Sequence, residues 1–167
     1  SFIGSDDTTH GDWIGSYGGG AYFLASGSYW NPDSFVDFNV IDQIDQLWDQ
    51  DSDDLGALVD PESNSETRAA AAWTSTSSFV LELNFNDNQT HRVSLYFQDY
   101  GDKGRMQKIE FYDPASGNML SQHAITDFSR GKFMTWEVSG HVKVKITRVA
   151  GPNAVVSGVF VDAVPAE

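Results

Sequence analysis

The sequence predicts an all-β chain, an antiparallel β-sandwich of jelly-roll type, on three observations. Apolar and polar residues alternate through the second half, turn-forming residues separate these runs at regular intervals, and no stretch between them sustains a long helical repeat. Short strands at such spacing fold as two packed antiparallel sheets. With 167 residues, 40% of them hydrophobic and 13% aromatic, the chain has the size of one domain and ample material for a core. The expected domain runs over 1–167, with an acidic, loop-rich insertion at about 27–66.

The first half is the less regular. Tyr22–Ala25 and Phe35–Ile41 read as strands, while Ile41, Ile44 and Leu47 recur at i, i+3 and i+6 and predict one or two helical turns. Phe79, Leu81, Leu83 and Phe85 share one face of a strand. Asn86-Asp87-Asn88 supplies a turn, Val93, Leu95 and Phe97 share a face of the next strand, and together they read as a hairpin. Ile109 and Phe111 mark a short strand closed by the turn residues Asp113 to Asn118. Met134, Trp136 and Val138 follow, then Val142, Val144 and Ile146 with Lys143 and Lys145 on the opposite, wet side. Gly151-Pro152-Asn153 turns the chain into Val155, Ser157, Val159 and Val161.

Charge is distributed unevenly. The first 67 residues hold fourteen Asp or Glu and no Lys or Arg, which accounts for the whole formal charge of −14. The remaining hundred residues balance. So negative a surface repels phosphate backbones and anionic headgroups, so nucleic acid and membrane partners are not expected, whereas cations and neutral ligands are. The absence of cysteine removes disulfides and thiolate metal sites. Ser1 to Gly11 has neither the basic flank nor the apolar run of a signal peptide, and no stretch approaches the roughly 20 apolar residues of a membrane span. The apolar segments near both ends read as those of a module cut from a longer chain.

Three constellations are candidates for function. In the opening Thr8 to Tyr22, glycines recur between aromatics, a device that serves core packing and ligand platforms alike; a structural role is the expectation for Trp13 and Tyr17. Gly18-Gly19-Gly20 is not a phosphate loop, since no Lys-Ser/Thr follows. In the second, Asp49, Asp51 and Asp53 alternate and Asp60 stands at the twelfth place, as hard oxygen ligands do in a calcium loop. The sixth place is Asp54 where a sharp turn wants glycine, and a solvated acidic loop is the other reading. Asp6 and Asp7 would make a further cation site if the terminal strands paired and brought Asp162 alongside.

The third runs from Tyr96 to Arg105. Carboxylates and a guanidinium beside an exposed ring suit sugars, whose hydroxyls both donate and accept while their C–H faces stack on aromatics. An ordinary hairpin loop with a surface Asp–Arg pair is the alternative. Trp30, Trp48 and Trp73 lie in or beside polar sequence, and Trp48 among Asp45, Gln46, Asp49 and Gln50 has no apolar pattern to explain it. His91 and His141 fall at strand starts and are expected at the surface; neither they nor His10 and His123 show metal-ligand spacing.

Asp7 to Gly18, Ala70 to Trp73, His91 to Tyr100, Trp136 to Val142 and Asn153 to Phe160 together resemble a β-sandwich module found beside catalytic domains in bacterial polysaccharide-degrading enzymes, of galactose-binding-like or malectin-like architecture. The resemblance fades between Gly27 and Glu66. It implies an extracellular carbohydrate-binding accessory role, with loops at one end of the sandwich as the binding surface and often a structural calcium. Where such modules often carry Asp-Trp-Asp, this chain has Asp99-Tyr100-Gly101-Asp102.

The expectation is a secreted, monomeric, non-catalytic module that binds polysaccharide and holds a covalently linked catalytic domain near its substrate. Trp30, Trp48, Asp99, Tyr100 and Arg105 are the expected sugar contacts, and Asp49, Asp51 and Asp53 the expected Ca2+ ligands. Arg68, Arg92, Lys103, Arg105 and Lys108 would suit an acidic sugar. The rival classes are a small polysaccharide lyase or glycoside hydrolase, for which residue types but no arrangement are present, and a structural or protein-interaction domain of a large extracellular protein.

Overall fold

The computed structural model describes residues 1–64 and 66–166. Among these residues there is no α-helix; two 3-10 turns, Pro32–Ser34 and Pro61–Ser63, interrupt fifteen strands. One sheet has six strands in the order β1 (Phe2–Asp6), β12 (Lys132–Val138), β9 (His91–Phe97), β15 (Gly158–Ala163), β2 (Ala21–Leu24) and β3 (Tyr29–Trp30). The facing sheet has five, β11 (Met119–Ile125), β10 (Met106–Tyr112), β13 (His141–Ala150), β8 (Ser78–Phe85) and β4 (Val36–Ile41). A third sheet joins β14 (Ala154–Val156), β7 (Arg68–Ser75) and β5 (Ile44–Asp49), with β6 (Leu58–Val59) also on β7. Strand pairing is antiparallel throughout. This is the predicted all-β sandwich, and its connections pass repeatedly from one sheet to the other, as jelly rolls do.

Period-two alternation explains why these sequences pack so. Phe79, Leu81, Leu83 and Phe85 of β8 meet Val93, Leu95 and Phe97 of β9 in one core with Met134, Trp136, Val144, Ile146, Val159 and Val161. Each such buried side chain contributes about 1.5–3 kcal/mol on transfer from water. The third sheet adds Ala72, Trp73, Val155 and Val156 to the same core.

Three expectations are corrected. β8 and β9 do not form a hairpin: β8 pairs with β13 and β4, β9 with β12 and β15. Their apolar faces look at each other across the core, a relation that alternation alone does not separate from side-by-side pairing. Ile41 to Leu47 is not helical; it is the end of β4 and the start of β5, reversed at Asp42, whose φ of 65° breaks any helix. Residues 27–66, apart from Ser65, which lies outside the described residues, supply the short strands β3, β4, β5 and β6 between their turns and loops. β4 and β5 form sheet edges, where one neighbour provides the backbone partners. His91 is buried, not superficial. Its ring stacks on Phe85 at 4.5 Å and its Nε2 lies 2.8 Å from Asp87 Oδ2, a hydrogen bond that holds the Asp87 carboxyl below its ordinary range.

Candidate functional site

The six-stranded sheet is unusual in burying part of its outer face as well. Tyr96, Phe133 and Phe160 point away from the main core and, with Trp13, Leu24, Leu58 and Val59, form a second apolar cluster. The glycine-rich opening is the cover. Trp13 lies 5.1 Å from Phe160, its indole N–H donates to the Val59 carbonyl at 2.9 Å, and Tyr17 stacks flat on Phe133 at 3.9 Å. Gly18 has φ of 76°, and a Cβ there would stand 3.1 Å from the Phe160 ring, so the backbone passes over the aromatics only because no side chain intervenes. The structural reading of Trp13 and Tyr17 therefore holds.

Two carboxylates fasten this cover. Asp162 of β15 accepts the Gly18 and Gly19 amides at 3.0 and 2.8 Å. Asp6 accepts the Thr8 and Thr9 amides, both threonine hydroxyls and the Tyr17 hydroxyl at 2.8 Å. Partial burial opposes its ionisation, but these hydrogen bonds prevail and hold its carboxyl well below the usual range; burial and the Asp6 contact in turn push the Tyr17 phenol upward. The terminal strands β1 and β15 lie in the same sheet but are separated by β12 and β9. Asp6 and Asp162 face one cavity with their oxygens committed to the chain itself.

The cover leaves an open groove in two lobes. One, of about 450 Å³, is walled by Trp30, Tyr22, Ile14 and Pro61; the other, of about 560 Å³, by Ile3, Thr9, Arg92, Ser94 and Thr135. They share Ser16, Tyr17 and Asp162 and so lie side by side. Trp30 is 44% exposed, with its ring 6.1 Å from that of Tyr22. The β2–β3 register makes this so: Tyr22 opposes Trp30 on the outer side, while Phe23 opposes Tyr29 on the inner side. Burial first, then the Glu62 and Asp60 charges, push the Tyr22 phenol up.

The sequence-predicted contacts separate into two groups. Trp30 stands in the groove. Trp48, Tyr100, Asp99 and Arg105 come together elsewhere, with Trp48 stacked on Tyr100 at 5.2 Å and under the Arg105 guanidinium at 5.2 Å. Asp99 and Arg105 are 3% and 4% exposed and form a buried ion pair at 2.8 Å. Asp99 also accepts the amides of Lys103, Gly104 and Arg105, and Arg105 further donates to the Tyr100 carbonyl and Asn153. These polar groups tie the loop rather than face solvent. The basic residues do not converge on an acidic ligand: Arg68 pairs with Asp12, Arg92 with Glu137, Lys108 with Glu110 and Arg105 with Asp99.

Asp49, Asp51 and Asp53 are exposed, and the Asp51 amide donates to Asp49 Oδ1 at 3.0 Å. Among the described residues no group of three or more His, Asp or Glu side chains is placed to hold a metal ion, so as they stand these three do not fit Ca2+. No helix among them is long and apolar enough to cross a membrane. Sequence reasoning held Ile14 and Tyr22 within the glycine-rich opening but did not single them out, and it passed over Tyr29 on the other side of the sheet. The usable signal was the alternation in Tyr22-Phe23 and Tyr29-Trp30 on either side of Gly27, which as a hairpin puts one aromatic pair on each face.

Fold and site together define an antiparallel β-sandwich with an aromatic-walled groove on one outer face. No family model matches the chain, and no curated protein matches its sequence. Among solved structures it is similar to a family 35 carbohydrate-binding module from Clostridium thermocellum, 11% identical over 86% of this chain and 97% of that one, with a TM-score of 0.47. It is also similar to a family 35 module from Paenibacillus barcinonensis, 14% identical over 86% of this chain and 98% of that one, with a TM-score of 0.44. A third is the family 22 module and xylanase pair of Clostridium thermocellum complexed with xylohexaose, 7% identical over 78% of this chain and 26% of that one, with a TM-score of 0.44.

Proposed function

We propose that this chain is a non-catalytic carbohydrate-binding module that lays a neutral glycan along the outer groove, and that in a longer extracellular protein it keeps a polysaccharide-degrading domain at its substrate. The observation that carries the reading is the pair of adjoining hollows with the exposed Trp30 face beside Tyr22 at one end. A pyranose presents an apolar C–H face to such a ring and hydroxyl edges to groups such as Ser16, Thr9 and Thr135. Asp6 and Asp162 are occupied by backbone and hydroxyl donors, and Arg92 by Glu137, so the groove has no free charge that demands an acidic sugar. Linkage to a catalytic domain would act by raising effective concentration, without any chemistry of its own.

The test is affinity electrophoresis of the chain and of Trp30→Ala and Trp48→Ala through a panel of neutral and acidic polysaccharides, with the same mixtures assayed for new reducing ends and unsaturated products. Retention on a neutral glycan that Trp30→Ala weakens by about 3–10-fold, the worth of one aromatic contact, supports the groove. Loss only in Trp48→Ala moves the site to the Tyr100 stack. Products in the wild-type mixture overturn the non-catalytic reading.

A further inference from the structure

The hairpin that lifts Trp30 into the groove also carries Tyr29 to the other side of the sheet. There, between the β3 edge of one sheet and the β4 edge of the other, lies a separate recess of about 280 Å³. Its floor is aromatic: Phe23 stacks on Phe38 at 4.5 Å, and Phe38 meets Trp73 at 5.6 Å. Tyr29, 70% exposed, stands beside this floor with Asn39 and Gln43. None of the ten lining residues is charged, although nine of the ten come from the stretch that holds fourteen acids and no base. Among the described residues the side chains of Ser28, Asn39 and Gln43 make no hydrogen bond within the chain, while Asp6, Asp99 and Asp162 are each held by several donors. An exposed phenol, an aromatic floor and uncommitted amides in an uncharged hollow are a combination that suits one uncharged ring bearing hydroxyls.

We infer that this recess is a second binding subsite for a single neutral sugar ring, independent of the groove, with Tyr29 as the stacking platform and Gln43 as a hydroxyl reader. It rests on the proposed glycan-binding function for its ligand class and on its own residues for its place. Because Tyr29 and Trp30 are adjacent and face opposite sides of the sheet, the two sites hold different glycan strands.

The test is titration of the 15N-labelled chain with the trisaccharides of glucose, xylose, mannose and galactose, each singly, following the five tryptophan indole signals. Trp30 reports the groove and Trp73 the floor of the recess. The expected result is two saturable events, with Tyr29→Ala and Gln43→Leu each weakening the Trp73 event at least threefold and leaving the Trp30 event unchanged. Tyr29 is exposed, so its truncation leaves the melting temperature unchanged, and thermal unfolding of both variants checks this. A Trp30 event alone, indifferent to Tyr29→Ala, overturns the recess and leaves the groove standing. A Trp73 event that survives Trp30→Ala, with no Trp30 event in the wild type, overturns the groove and keeps the recess. No event with any sugar overturns both.

Discussion

Replacing Asp99 with Asn tests whether the Tyr96–Arg105 segment is scaffold or ligand contact. Asp99 Oδ1 accepts the Lys103 amide and the Arg105 guanidinium, and Oδ2 accepts the Gly104 and Arg105 amides. Whichever way the new amide turns, its NH2 confronts two of these four donors. The guanidinium, 4% exposed, also loses its countercharge. Stranding one member of a buried pair costs about 3–5 kcal/mol. For a chain of this size each kcal/mol moves the melting temperature by about 2–4 °C, so a fall of about 6–20 °C is expected. The assay is thermal unfolding with glycan affinity measured on the folded fraction. Adding Arg105→Met removes the stranded charge and should recover part of the loss, so the two single costs should exceed the double. Wild-type melting with reduced affinity, or costs that simply add, would refute the scaffold argument and return Asp99 to the binding surface.

Two further outcomes are expected. The Asp6 carboxyl sits below its unfolded value, so its contribution is fully present above about pH 4, the ordinary Asp range, and is lost as pH falls through the folded value. Urea midpoints should therefore show Asp6→Asn less stable than wild type at pH 6, with the gap closing below pH 4; a gap independent of pH would contradict the hydrogen-bond account. Because Asp49, Asp51 and Asp53 do not converge, calcium and chelator should leave the melting temperature unchanged. An ion bound at about 100 times its dissociation constant would add about 2.7 kcal/mol, so a clear rise with calcium would show that the loop closes around it.

β8, β9, β12 and β13 were legible because each runs seven or more residues with one face in the main core, as in Phe79 to Phe85, whereas β11, with Met119 and Leu120 exposed, and the division of Val155 to Val161 between β14 and β15 were not. Which strands neighbour one another was not, since the same apolar face satisfies a partner beside it or across the core. β5 escaped because Ile44 and Leu47 are exposed at a sheet edge, where backbone pairing to β7 and not side-chain burial makes the strand. In the site, Trp30 was visible as an aromatic in polar sequence, but Trp48 gave the same signal and stacks on Tyr100. Asp99 and Arg105 looked like sugar-reading groups because sequence reports residue type and not burial. Asp162 was noticed for charge, yet its role comes from two glycine amides more than 140 positions away.

The order of strands in the six-stranded sheet governs when the groove can exist. β1 is paired only to β12, and β15 is inserted between β9 and β2, so the walls join segments from the two ends of the chain. Contacts of such sequence separation close slowly. A nascent chain emerging amino end first presents β2, β9 and the glycine-rich cover long before Asp162 arrives to fasten Gly18 and Gly19. Fastening of the cover thus waits for β15, and removal of Asp162 would leave the Gly18 and Gly19 amides without their acceptor and the aromatic cover untethered.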